Sequence, residues 1–114
     1  MKRDYRVYLD DILEAIEKIQ SYTSGVNEKT FYSNFQLQDA VLRRLEIIGE
    51  ATKNLPINVR KKFPQTPWRE MAGLRDVLIH EYFGVNIRRV WKIITETLPN
   101  LKKELNKIQN VYQV

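Results

Sequence analysis

His80 is the only histidine among 114 residues, and it stands in the run Arg75-Asp76-Val77-Leu78-Ile79-His80-Glu81-Tyr82. Its imidazole, with an ordinary pKa of about 6.5, is the one side chain that can take and return protons near neutral pH without heavy perturbation. Arg75 stays charged and offers a planar fork of donors that suits phosphate oxygens. The pair suggests phosphodiester chemistry, with His80 as acid or base. The spacing alone is weakly specific, because a surface arginine and a histidine packing or capping at a helix end would leave the same trace.

Helical geometry constrains what these residues can do together. At about 100° per residue, Arg75 and His80 are separated by about 140°, so they flank a cleft more naturally than they touch. Asp76 is four residues before His80 and can meet it, fixing the ring's tautomer and favouring its charged form. An ordinary helical charge pair explains Asp76 equally well. Arg75 and Tyr82 are seven apart and share a face.

Periodicity supplies the elements that must hold this run, and all of them are helices. Tyr5, Tyr8, Leu9, Ile12, Ile16 and Ile19 predict a first helix from about Asp4 to Tyr22, stopped by Ser24-Gly25. A second, about Asn34 to Asn54, carries Leu37, Val41, Leu45 and Ile48, with Ala40, Leu42, Ile47 and Ala51 widening the stripe. A helix apolar over so much of its circumference has two neighbours, one in the chain's own core and the other expected in a second subunit. Pro56 and Pro64 bound a basic connector with room for one short helical turn. Thr66-Pro67 then opens the helix that carries the motif, with the hydroxyl as N-cap and proline at the first position. That helix should end near Tyr82, with Gly84 in the left-handed C′ conformation and Asn86 capping the next. His80 therefore belongs to its last turn, where the helix dipole favours the imidazolium. The final seam, Ile87, Trp91, Ile94, Leu98, Leu101, Leu105, Ile108 and Tyr112, reads as core across a bend at Pro99. Trp68 and Trp91 lie on or beside apolar stripes and read as packing residues.

Composition sets outer limits. The length fits one domain, residues 1–114, and the absence of cysteine removes disulfides, thiolate metal sites and thiol nucleophiles. No run approaches the ~18 apolar residues of a membrane span, and Met1-Lys2-Arg3-Asp4-Tyr5-Arg6 leads straight into an amphipathic pattern, so a cytoplasmic protein without membrane partners is expected. The net charge of +5 is uneven. Through Glu50 there are 7 Lys and Arg against 9 Asp and Glu, and from Ala51 onward 12 against 5, so the motif-bearing half is strongly basic. Arg60-Lys61-Lys62, Arg69, Arg75, Arg88-Arg89 and Lys92 can form a field that gathers a polyanion near His80. Lys102-Lys103 and Lys107 read instead as solvated helix faces. A metal site would have to rest on carboxylates, and the nearest pair, Glu46 and Glu50, is more simply neutralised by Arg43 and Arg44. Bracing Arg75 or His80 is the other role open to Glu46 and Glu50.

Arg-x4-His-x-Tyr, preceded by Pro67-Trp68-Arg69-Glu70-Met71-Ala72-Gly73-Leu74 and followed by Phe83-Gly84-Val85, resembles the HepT-like branch of the HEPN superfamily. The resemblance extends upstream through Ala40-Val41-Leu42-Arg43-Arg44-Leu45-Glu46-Ile47-Ile48-Gly49-Glu50-Ala51 and so covers nearly the whole chain. It implies an all-α, antiparallel bundle of four to five helices, homodimeric, acting as a metal-independent RNase toxin without cofactors. Its partner would be a small nucleotidyltransferase antitoxin.

Such an RNase needs a base for the 2′-hydroxyl and an acid for the leaving 5′-oxygen, yet the chain has one histidine. A twofold dimer with the motif helices facing across its axis supplies two imidazoles and two guanidiniums to one cleft, the arrangement the resemblance implies. His80 is then the acid/base group, and the two Arg75 side chains hold the scissile phosphate, giving a 2′,3′-cyclic product. The resemblance also makes Tyr82 the acceptor of AMP groups that silence the enzyme; a helix-end tyrosine making one hydrogen bond is the plainer reading. Two other functions fit the sequence: a noncatalytic nucleotide- or substrate-binding module that partners the nucleotidyltransferase, and a purely structural dimerisation domain.

Overall fold

The computed structural model describes the backbone of residues 4–80 and 86–112 and the side chains of residues 4–74 and 86–111. The first apolar stripe forms α1 (Tyr5–Thr23), which starts where Asp4 accepts a hydrogen bond from the Arg6 amide at 2.9 Å. It buries Leu9, Ile12, Ile16 and Ile19 along one face. The stop falls as expected, with Ser24 as C-cap and Gly25 at φ 74°, a left-handed conformation that costs other L-residues roughly 1–2 kcal/mol.

A helix without a sequence expectation follows, α2 (Glu28–Ser33), capped by Asn27, whose side chain accepts from the Thr30 amide at 2.8 Å. Six residues are too few to display a stripe, and Phe31 alone among them is buried. Tyr32 donates to the Glu28 carboxylate, which pushes the phenol's pKa up. Asn34 then caps α3 (Phe35–Asn54), accepting from the Leu37 amide at 3.0 Å. The buried Gln38 amide ties the two helices together, donating to the carbonyls of Phe31 at 2.9 Å and Tyr32 at 3.1 Å.

Part of the wide stripe of α3 is used within the chain, while Ala40, Leu42 and Ile47 stay half-buried. One neighbour is α1 and the other is α5 (Trp68–His80), whose own buried residues Trp68, Met71 and Leu74 supply the opposing face. Between these helices the basic connector forms α4 (Ile57–Lys62). Trp68 Nε1 donates to the carbonyls of Arg60 and Phe63, both at 3.0 Å, pinning the C-terminal end of α4 to the start of α5.

The final seam runs through α6 (Ile87–Lys92), a π-helical turn (Ile93–Thr97) and α7 (Leu98–Tyr112). Asn86 caps α6 as expected, accepting from the Arg89 amide at 3.2 Å. Pro99 lacks the N–H that would bond the Thr95 carbonyl, and the distortion is taken up just before it, where the Leu98 amide reaches back to the Ile93 carbonyl in the wider turn. Ile94, Leu98, Leu101, Leu105 and Ile108 are buried and join α1 and α3 in the core, while the side chain of Tyr112 lies outside the described residues. Trp91 packs on Phe31 with ring centroids 5.2 Å apart, and Trp68 is buried, so both tryptophans serve packing. All regular structure among the described residues is helical, in more segments than the four to five expected, because α2 and α4 interrupt the connections. No described helix is long and apolar enough to cross a membrane.

Candidate functional site

Helix α5 brings most of the motif onto one rigid element. Its first turn is set by Pro67, whose carbonyl accepts from the Met71 amide at 3.1 Å, one residue later than a Thr66 cap would place it. From there the helix runs unbroken to His80. Arg75, Asp76 and His80 thus share one helix, with positions 76 and 80 one turn apart and positions 75 and 80 about 140° apart around the axis. Position 75 continues the row of Trp68 and Met71, and position 80 continues the row of Arg69 and Gly73. The side chains of Arg75, Asp76 and His80 lie outside the described residues, as do the whole of Tyr82, Phe83 and Gly84.

A cleft opens on each side of α5. The first, about 660 Å³, lies against α4, where Ile57, Arg60 and Lys61 face Trp68, Arg69 and Gly73. The second, about 470 Å³, lies against α6 and the π-helical turn, where Arg89, Lys92 and Ile93 face Met71, Gly73 and Leu74. Glu70 is the acidic residue at its edge. These clefts place cations from three elements along the helix that carries the motif.

Among the described residues, Arg60, Lys61, Arg69 and Arg89 form no ion pair with a carboxylate, and the Nε of Arg60 is a buried donor without a partner. Their charge is left to act outward. Cations elsewhere are mostly spoken for: Arg6 pairs with Asp4 at 2.6 Å, Arg43 with Glu46 at 3.4 Å and Lys107 with Glu104 at 3.2 Å. Lys102 donates to Gln20 at 3.3 Å, which agrees with the structural reading of the C-terminal lysines. Lys92 is intermediate, 4.0 Å from Glu96 and still on the cleft wall. The α4 cleft carries cations alone among its described lining residues and the α6 cleft carries Arg89 and Lys92 against Glu70, so the pair suits a polyanion.

The acidic candidates are occupied. Glu46 pairs with Arg43, as a helix-face pair would, and Glu50 is also engaged in a polar interaction. No three Asp, Glu or His side chains converge among the described residues. Gly73, which lines both clefts, was not singled out by sequence reasoning. A glycine inside a helical run is the signal that points to it.

The chain matches the family model described as "HepT-like: Ribonuclease HepT-like" over residues 12–108. It is 48% identical over 109 residues to "Probable ribonuclease HepT" of Thermococcus cleftensis, covering 96% of this chain and 99% of that protein. It is 46% identical over 103 residues to "Putative RNase TTE0752" of Caldanaerobacter subterraneus subsp. tengcongensis, covering 90% and 92%. It is also 48% identical over 108 residues to "Gamma-glutamylcyclotransferase and putative RNase MJ0434" of Methanocaldococcus jannaschii; there it covers 95% of this chain but spans only 49% of the longer protein. No solved structure matches the chain.

Proposed function

Because the chain belongs to the HepT-like ribonuclease family, we propose that it is a cytoplasmic, metal-independent endoribonuclease and the toxin of a toxin–antitoxin pair. It acts as a homodimer of one helical domain, residues 1–114, and its partner is a nucleotidyltransferase that silences it by transferring AMP to Tyr82. The observation that carries this reading is the family match, with α5 running unbroken through positions 75 and 80 and two cation-bearing clefts flanking its first turns.

RNA enters the basic clefts by its phosphates, and two copies of the motif meet across the twofold axis. One His80 takes the proton of the 2′-hydroxyl while the other protonates the departing 5′-oxygen. The paired Arg75 side chains hold the phosphate and stabilise its added charge in the pentacoordinate state, leaving a 2′,3′-cyclic phosphate. Asp76, one turn before His80, orients the ring. AMP on Tyr82 would place phosphates where the RNA phosphate binds and cancel the local positive field.

The test is cleavage of labelled RNA in EDTA by the wild-type chain, Arg75→Ala and His80→Ala. Cleavage by the wild type that is lost in both variants supports the reading. RNA binding without cleavage in all three would support the noncatalytic module instead.

A further inference from the structure

Among the described residues, the two clefts beside α5 share one lining residue, Gly73. A glycine in a helix interior is unfavourable relative to alanine, so its presence calls for a reason. Packing among the described residues does not provide one, because a Cβ at position 73 would meet none of them within 4 Å. Without a side chain there, position 73 presents bare backbone between the α4 cleft and the α6 cleft, a low saddle on α5. On one side stand Arg60, with its orphaned Nε, Lys61 and Arg69; on the other stands Arg89. Position 80 lies seven residues beyond the saddle, two turns along the helix and within about 20° of the same direction.

Resting on the ribonuclease reading, we propose that single-stranded RNA crosses α5 at Gly73, its backbone running from the α4 cleft to the α6 cleft past the His80 row. The chemistry fits a flexible polyanion. Each cleft combines cations with apolar wall, Ile57 and Pro64 in the first and Met71 and Ile93 in the second, so phosphates and base faces both find partners. The two clefts lie on opposite sides of α5, so a flexible single strand reaches both where a stiff duplex would not bend over the helix.

Binding is measured with full-length His80→Ala protein and a labelled 12-nucleotide oligouridine, so no cleavage is needed and failure of the ribonuclease reading would be seen separately, in the wild-type EDTA assay. Adding Arg60→Gln, Lys61→Gln and Arg69→Gln should weaken binding about tenfold or more and reduce the salt slope by about 2, at ~0.7 per phosphate contact. The control Lys102→Gln, Lys103→Gln and Lys107→Gln, with the same change in charge, should stay within about threefold. Gly73→Leu should bind about tenfold more weakly while its melting temperature holds or rises, since the added side chain enters open space. Equal losses in the two charge variants would reduce the effect to bulk charge and overturn the track. So would undiminished binding by Gly73→Leu, or a change of its mass in light scattering, which would mean that the gap serves a second copy of the chain.

Discussion

At the residue scale the account rests on a division of labour among side chains that differ in when they carry charge. An imidazole exchanges protons near neutral pH and a guanidinium does not, so the same motif supplies both proton transfer and constant phosphate attraction. His80→Ala should therefore lower metal-free cleavage by about 10²–10⁴-fold while RNA affinity stays close to the parent. With one imidazole acting as base and its symmetry mate as acid, the cleavage rate should trace a bell centred near the histidine pKa of about 6.5. A flat profile across pH 5–8 would remove His80 from proton transfer. Tyr82→Phe should cleave RNA like the parent yet remain active after incubation with the nucleotidyltransferase and ATP, read by labelled-nucleotide transfer and residual cleavage together. His80 stands out by residue type alone, as the one histidine of the chain, whereas the roles expected of Arg75 and Tyr82 come from the family resemblance and Asp76 fits a helical charge pair equally well. Gly73 was not legible in the sequence, since its significance lies in what surrounds an absent side chain.

At the element scale, helix caps and stripes explain most of the order that holds the motif. Asn86 was readable as a cap because it stands before a long periodic segment, and Asn34 was readable only as the approximate start of the second long helix. Asn27 was not, because α2 is too short to show a period and is held by tertiary ties such as Gln38 to Phe31. The bend at Pro99 was readable in position but not in form, since the sequence says that a donor is missing and only packing decides that a π-helical turn absorbs it. Two consequences are measurable. Leu45 is fully buried in α3 between α1 and α5, so Leu45→Ala should cost about 2–5 kcal/mol in urea unfolding and weaken the support of α5. Asp4 caps α1, and its hydrogen bond from the Arg6 side chain holds its carboxyl at a pKa of about 2, below the roughly 3.9 of an unfolded chain. Its stabilising contribution is thus complete above pH ~4 and lost as pH falls through about 2. The stability difference between the parent and Asp4→Ala should shrink over that window and stay constant above it.

At the scale of the whole molecule, the charge asymmetry seen in the sequence becomes a surface with a direction. In the acidic N-terminal half Arg6, Lys18 and Arg43 pair with carboxylates, whereas in the basic half Arg60, Lys61, Arg69 and Arg89 form no ion pair among the described residues. Within the chain α3 packs on α1 and α5. The proposed chemistry requires a twofold partner at the His80 end of α5, which leaves the Gly73 crossing open to RNA. The central claim is that two His80 rings serve one cleft. It is tested most directly by mixing wild-type chains with increasing shares of His80→Ala chains, allowing the subunits to exchange, and measuring RNA cleavage in EDTA. If both imidazoles are needed in one site, activity follows the square of the wild-type fraction, and an equal mixture retains about one quarter. A straight proportional fall, with about half the activity at equal mixing, would show that each chain works alone and would contradict the account.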